Sequence, residues 1–157
     1  MSHNLNDKWV LWYHDLDDTD WTINGYQRLA DIDTIENFWS IYNSLEENVI
    51  QNSMFFLMRH NINPIWEDSN NINGGCWSFK ITKKDVFKAW NELSLHLIGE
   101  NITKELKNSL NINGISISPK KNFSILKIWN KNQETHNILS KKIPNIFIYE
   151  SIFKSHK

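Results

Sequence analysis

The sequence predicts an α+β fold built on a largely antiparallel sheet. Three observations carry that expectation: short runs of aromatic and β-branched residues, two longer stretches with apolar residues at helical spacing, and turn signals that punctuate them.

In chain order, Trp9-Val-Leu-Trp-Tyr13 is the first predicted strand, and an acidic loop, Asp15-Leu-Asp-Asp-Thr-Asp20, leads from it to Trp21. Asp33-Thr-Ile-Glu36 has the form of a capping box, an acceptor side chain with a carboxylate three residues on. Ile35, Phe38, Trp39, Tyr42 and Leu45 follow at helical spacing, which predicts the first helix. Met54 to Arg59 reads as a strand, broken at Asn63-Pro64 into a loop carrying Ile65-Trp66-Glu67-Asp68. Asn73-Gly-Gly75 signals a turn before a strand from Trp77 to Thr82. The second helix is predicted from Asp85 to Ile98, with Val86, Trp90, Leu93 and Leu97 on one face and Gly99 as its C-cap. Gly114 to Ser118 and Phe123 to Trp129 alternate as a hairpin pair. A short helix near residues 134–142 and a late strand from Ile146 to Tyr149 complete the pattern. With no repeat and no long linker, residues 1–157 are expected to form a single domain, residues 1–8 being an arm.

Composition narrows the function classes. A chain of 157 residues with 40% hydrophobic and 22% charged residues can bury about two thirds of its unfolded surface in one core. No run of 18 apolar residues exists to span a membrane, and Met1-Ser-His-Asn-Leu-Asn-Asp7 lacks the regions of a signal peptide. Cys76 is the single cysteine, so no internal disulfide can form, which suits a reducing compartment and sets a cytoplasmic or nuclear expectation. A net charge of −1 and a pI near 6.6 exclude a broad basic face that coats nucleic acid; such a partner must be held at a small, locally positive site. The heavy use of Asn, Ile and Lys, with Arg only at positions 28 and 59, points to an AT-rich genome such as that of a protist or large DNA virus.

No enzyme signature emerges. A calcium loop begun at Asp15 would need a glutamate at its twelfth position, where Tyr26 stands, and it lacks the central glycine. Cys76, beside Gly-Gly and Trp, has none of the local signatures of cysteine hydrolases and reads as packed. His3, His14, His60, His96, His136 and His156 supply no closely spaced zinc pair, so no metal site is expected. Neither glycine-rich phosphate motif occurs, and no cofactor is expected. What remains is the tryptophans. Trp21 and Trp66 sit on predicted loops, where burial in a core explains them least and where function concentrates.

Read together, Trp9-Val-Leu-Trp12, Trp21, the stretch Asp33-Thr-Ile-Glu-Asn-Phe-Trp39-Ser-Ile-Tyr42, Ile65-Trp66-Glu67-Asp68, Gly74-Gly75-Cys76-Trp77, Trp90-Asn-Glu92, Leu97-Ile-Gly-Glu100 and Ile128-Trp129 resemble the translation initiation factor 4E family, from about His3 to Tyr149. The resemblance implies a curved, mainly antiparallel sheet backed by about three helices on its convex face, with the ligand in the concave face. It implies a non-enzymatic protein that binds the 7-methylguanosine cap of mRNA. Trp21 and Trp66 would sandwich the base, Glu67 would pair with its edge, and Trp129 would touch the N7-methyl group. Lys120, Lys121 and Lys127 are the candidate phosphate ligands. Here the sequence departs from the family: Ile125 and Cys76 stand at two positions where the family has cations.

On the convex face the resemblance implies a scaffold partner carrying a Tyr-x-x-x-x-Leu helix. The matching positions are His3, Leu5, Ile35, Trp39, Glu92, Leu95 and Gly99. Asn4 replaces the family's proline and Asn91 an apolar residue, which keeps a translational repressor that does not engage the scaffold as the alternative to an initiation factor. The expected protein is a monomer outside its complex, acting in the cytoplasm (that of the host, if viral), a compact version without a long N-terminal extension or a phosphorylated C-terminal loop.

Overall fold

The computed structural model describes residues 2–103, 105–133 and 151–157. Among them the order is β1 (Asn4–His14), a 3₁₀ turn (Ile23–Gly25), β2 (Tyr26–Thr34), α1 (Ile35–Tyr42), α2 (Glu47–Asn52), β3 (Met54–Arg59), β4 (Gly75–Thr82), α3 (Lys83–Ile98), α4 (Leu106–Ser109), β5 (Ile112–Pro119), β6 (Phe123–Asn130) and β7 (Ile152–Ser155). The seven strands form one curved sheet in the order β2-β1-β3-β5-β6-β4-β7, each neighbouring pair antiparallel. The α+β expectation is met.

Strand alternation sorts the core into two layers. Trp9, Leu11, Phe55, Leu57, Ile115, Ile117, Leu126 and Ile128 face one way, onto Phe38 and Tyr42 of α1, Ile50 of α2 and Val86, Trp90, Leu93 and Leu97 of α3. Their neighbours Val10, Trp12, Phe56, Met58 and Trp129 face the other way and join Ile62 and Cys76 in a smaller cluster. The helices thus occupy one face, and the opposite face is left open.

Several elements differ from the expectation in informative ways. β2 has no counterpart in the sequence reading. It is an edge strand with only Ile32 fully buried, so Tyr26-Gln-Arg-Leu-Ala-Asp lacks the apolar alternation that marks a half-buried strand. The cap of α1 is Thr34, whose hydroxyl accepts from the Asn37 N–H at 3.0 Å, and not Asp33. Glu36 is therefore free of the capping box and accepts instead from the His3 N–H (2.9 Å) and contacts His3 Nδ1 (2.6 Å). α1 stops at Tyr42, short of Leu45, and α2 and α4 are additional short helices of six and four residues. Gly99 does cap α3, in a right-handed conformation; the left-handed residue is Glu100, with φ 56°. The predicted helix near 134–142 and the strand Ile146–Tyr149 lie outside the described residues, and the strand that follows is β7.

Glu100 explains its own strain. Its two carboxylate oxygens each accept from the Arg59 guanidinium at 2.7 Å, deep in the protein. Arg59 also donates to Asp7 (2.9 Å) and to the Ile112 carbonyl (2.9 Å), and stacks on Trp9 with 4.5 Å to the ring centroid. One guanidinium thus ties β1, the end of β3, the turn after α3 and the start of β5.

Candidate functional site

A cavity of about 450 Å³ opens on the face away from the helices. Its lining includes Trp21, Tyr26, Phe56, Trp66, Glu67, Trp129, Lys120 and Lys127. Candidate ligand-binding residues from distant parts of the sequence, Trp21, Trp66, Glu67 and Trp129, are thus gathered with Lys120 and Lys127 around one space. Lys121 is the exception. It sits exposed in the β5–β6 turn, closed by Lys120 N–H donating to Phe123 O at 2.7 Å, and does not line the cavity.

Trp21 is 51% exposed and stands at the end of the acidic loop. The aspartates of that loop cap its own backbone: Asp15 accepts from Asp17 N–H (2.9 Å), Asp18 from Asp20 N–H (2.8 Å), and Asp20 from Thr22 N–H and hydroxyl (2.9 and 2.5 Å). The loop is a chain of Asx turns rather than a cation site. Beneath it, buried His14 holds both ends of the loop, Nδ1 2.7 Å from Asp15 O and Nε2 2.8 Å from Asp20 O. The same imidazole lies flat under Trp21, with 4.0 Å between centroids and 5° between planes.

Trp66 is 44% exposed on the opposite loop. Asp68 accepts from the N–H groups of Asn63 (2.9 Å) and Asn70 (2.8 Å), and buried Asn71 donates to the carbonyls of Asn63 (3.0 Å) and Ile65 (2.9 Å). Asn113 of β5 reaches across to Asn71 Oδ1 at 2.9 Å and fixes the loop to the sheet. Here too the indole has an imidazole against it: His156, 5.5 Å away at 14°. His156 Nδ1 donates to Asn71 O (2.8 Å), which leaves Nε2 to accept from the Cys76 thiol at 3.2 Å. Burial pushes that thiol up to about 12 and lowers the histidine, so the pair is neutral and structural. This agrees with reading Cys76 as packed.

Neither supporting histidine was singled out from sequence. Nor was the meaning of Gly74-Gly75, read as a turn signal. A Cβ at Gly74 would meet Asn130 O at 1.9 Å, and one at Gly75 would meet Lys154 O at 2.5 Å, so both glycines let β4 pass between its neighbours.

At the floor, Trp129 is 3% exposed and donates from Nε1 to Ser116 Oγ at 3.0 Å. Glu67 makes no hydrogen bond or ion pair among the described residues, and its charge, after burial, helps to push the Tyr26 phenol up to about 12. Charge is divided across the cavity. The Trp21 loop carries Asp15, Asp17, Asp18 and Asp20, whereas β4, β5, β6 and β7 contain no Asp or Glu. Among the described residues no cluster of His, Cys, Asp or Glu could hold a metal ion.

On the helical face, Trp39 is 43% exposed and Leu95 36%. Tyr42 donates to Ser94 at 2.8 Å and joins α1 to α3, one turn from Trp39 and one residue from Leu95. The His3–Glu36 contacts hold the arm on α1; Leu5 and Ile35 pack partly against the core, Glu92 is half-exposed and Gly99 exposed.

The fold and site define a ligand-binding protein: a helix-backed antiparallel sheet with an aromatic, charge-divided cavity on its open face. The family model described as "Eukaryotic initiation factor 4E" matches residues 4–156, and the chain belongs to that family. It is 30% identical over 145 residues to eukaryotic translation initiation factor 4E of Saccharomyces cerevisiae, covering 88% of this chain and 67% of that protein. The human factor is 32% identical over 107 residues, 64% of this chain and 49% of that one. Thus the chain spans between half and two thirds of the length of these relatives. The crystal structure of Ascaris suum eIF4E-3 with m7G cap matches with TM-score 0.74 at 29% identity, covering 85% of this chain and 76% of that one. Schistosome eIF4E complexed with m7GpppG and 4E-BP matches with TM-score 0.76 at 28% identity, covering 85% and 75%. The family consists of binding factors, in accord with the expectation of a non-enzymatic protein.

Proposed function

We propose that this chain binds the 7-methylguanosine cap of mRNA in the cavity and recruits a partner protein on its helical face, as a cytoplasmic initiation factor. The observation that carries the reading is the lining of the cavity: two exposed tryptophans, an unpaired glutamate and two lysines in a chain of this family. Methylation at N7 makes guanine a delocalised cation. Stacking such a ring between Trp21 and Trp66 combines base–aromatic stacking, about 1–3 kcal/mol per base, with a cation–π part of roughly 0.5–2 kcal/mol. Glu67 accepts from the N1–H and N2–H of guanine, a pair of donors adenine lacks, and its charge offsets that of the ring. Trp129, already fixed by Ser116, offers its ring to the methyl group. Lys120 and Lys127 meet the phosphates as point charges without the fork of an arginine.

The partner surface is the exposed Trp39–Leu95 face, with the arm held beside it by Glu36; an amphipathic helix with spaced anchors suits such a face. Asn91 favours the second reading, a repressor with another partner. It places a half-exposed amide side chain on α3 where the family carries an apolar residue, which suits a partner with different anchors.

Tryptophan fluorescence tests the cap reading. Methylated GTP is expected to quench strongly and plain GTP weakly, and Trp66→Ala or Glu67→Ala to abolish the difference. Equal response to both nucleotides would refute it.

A further inference from the structure

The basic half of the open face continues past the cavity. On β6, Phe123, Ile125, Lys127 and Trp129 alternate with Ser124, Leu126 and Ile128, which are buried on the helical side. The register places Ser78 of β4 opposite Lys127, Lys80 opposite Ile125 and Thr82 opposite Phe123, so these side chains share the open face. Same-face residues repeat about every 7 Å along a strand, so Lys80 lies one step beyond the cavity wall at Lys127. Lys80 is exposed and its ammonium sits 4.3 Å from the centroid of the half-exposed Phe123 ring. Neither residue lines the cavity, and neither Lys80 nor Lys127 has an ion-pair partner among the described residues. The nearest following carboxylate, Asp85, accepts from the Thr82 hydroxyl at 2.6 Å.

A strip whose described residues offer lysines and an aromatic ring, with no carboxylate on strands β4 and β6 themselves, is a poor seat for a basic or apolar peptide. It has the two elements that hold a single-stranded nucleic acid, cations for the backbone and a ring for a base. In a chain of net charge −1 such segregation is local, which is what a short footprint requires.

We propose that the strip centred on Lys80 and Phe123 binds the first nucleotides of the RNA that continues from the cap. Lys127 takes the last cap phosphate, Lys80 a phosphate of the chain beyond it, and Phe123 the face of a base. The proposal rests on the cap reading for its direction: RNA leaves the cavity at Lys127 and runs along β4 and β6.

The test compares methylated GTP, a capped RNA pentamer and the same pentamer uncapped, titrated into the full chain and into Lys80→Ala, Phe123→Leu and the double variant. Circular dichroism checks that each is folded. The capped pentamer is expected to bind about tenfold tighter than methylated GTP, from one stacked base and one or two phosphates. The double variant should lose that advantage while its affinity for methylated GTP stays within about twofold, and Lys80→Ala should lower the salt slope by about 0.7. A capped pentamer that binds no tighter than methylated GTP, or a double variant that keeps the advantage, overturns the proposal. So does an oligoglutamate peptide that displaces the uncapped pentamer as well as RNA of equal charge does, which would give the strip to an acidic protein. Failure of the cap reading is distinct: methylated GTP would not bind, while the uncapped pentamer would still bind through Lys80 and Phe123.

Discussion

The imidazole of His14 lies flat against the indole of Trp21, 4.0 Å apart and 5° from parallel, while its two nitrogens grip the carbonyls at both ends of the acidic loop. A carbonyl only accepts, so the imidazole is the donor in this clamp. The residue does two jobs: it closes the loop and gives Trp21 a floor. His14→Ala removes both, and cap affinity is expected to fall by about 1–2 kcal/mol, roughly five- to thirtyfold. His14→Phe keeps a flat floor without the hydrogen bonds and should fall between. Titration with methylated GTP measures both; wild-type affinity in His14→Ala would show that the loop orders itself without the clamp.

The division of the lysines makes a second prediction. Lys120 and Lys127 line the cavity and Lys121 does not. Each of Lys120→Ala and Lys127→Ala should weaken binding of methylated GTP several-fold at low salt and flatten its salt dependence, with little effect on methylated GMP. Lys121→Ala serves as the control and should match wild type. A larger loss in Lys121→Ala than in Lys127→Ala would reverse the assignment.

Much of this arrangement was legible in the residues. Strand β3 and helix α3 appear almost within their observed bounds, because their apolar residues are buried by alternation and by helical period respectively. The loop positions of Trp21 and Trp66 also followed from the turn chemistry around them. What was not legible depends on partners distant in sequence. β2 is polar because it is an edge. His14 looks like any strand residue until β1 is seen to end under Trp21, and His156 meets Trp66 only through the pairing of β7 with β4. The left-handed Glu100 owes its conformation to Arg59, forty-one residues earlier.

That Arg59–Glu100 pair is nearly inaccessible, with side-chain exposures of 8% and 3%. Arg59→Ala strands a buried carboxylate and is expected to cost about 3–5 kcal/mol, measured by urea unfolding. Replacing both partners, Arg59→Met with Glu100→Leu, removes the charges together and should recover a large part of that loss. A double variant as unstable as the single one would locate the cost in the Asp7 and Ile112 contacts instead.

Acid should release the arm. Glu36 is held down at about 2, first by the His3 backbone N–H and then by the His3 side chain. A carboxylate depressed on folding stabilises the docked arm above its ordinary value near 4.3 and loses that contribution as pH falls toward the folded value. The arm is thus expected to stay docked above about pH 4.5 and to detach between about pH 4 and pH 2. The His3 resonances report this directly, and Glu36→Gln should show the detached signature at neutral pH. Unchanged resonances in Glu36→Gln would mean that β1 pairing alone holds the arm.

Trp39 carries the last prediction. Its indole is 43% exposed while its neighbours Phe38 and Tyr42 are buried, so the ring contributes little to the core. Trp39→Ala should therefore leave unfolding within about 1 kcal/mol of wild type, the range of surface substitutions. The same change is expected to cost a Tyr-x-x-x-x-Leu peptide about 2 kcal/mol or more of binding, as for a central aromatic anchor. Cap affinity should be unaffected, since the cavity lies across the sheet. Asn91→Leu separates the two readings of the partner. If the partner is an apolar helix, the leucine strengthens its binding; if it meets the half-exposed Asn91 side chain with polar groups, binding weakens. Peptide affinities for the wild type and these two variants decide whether this face is built for the scaffold of an initiation factor or for another ligand.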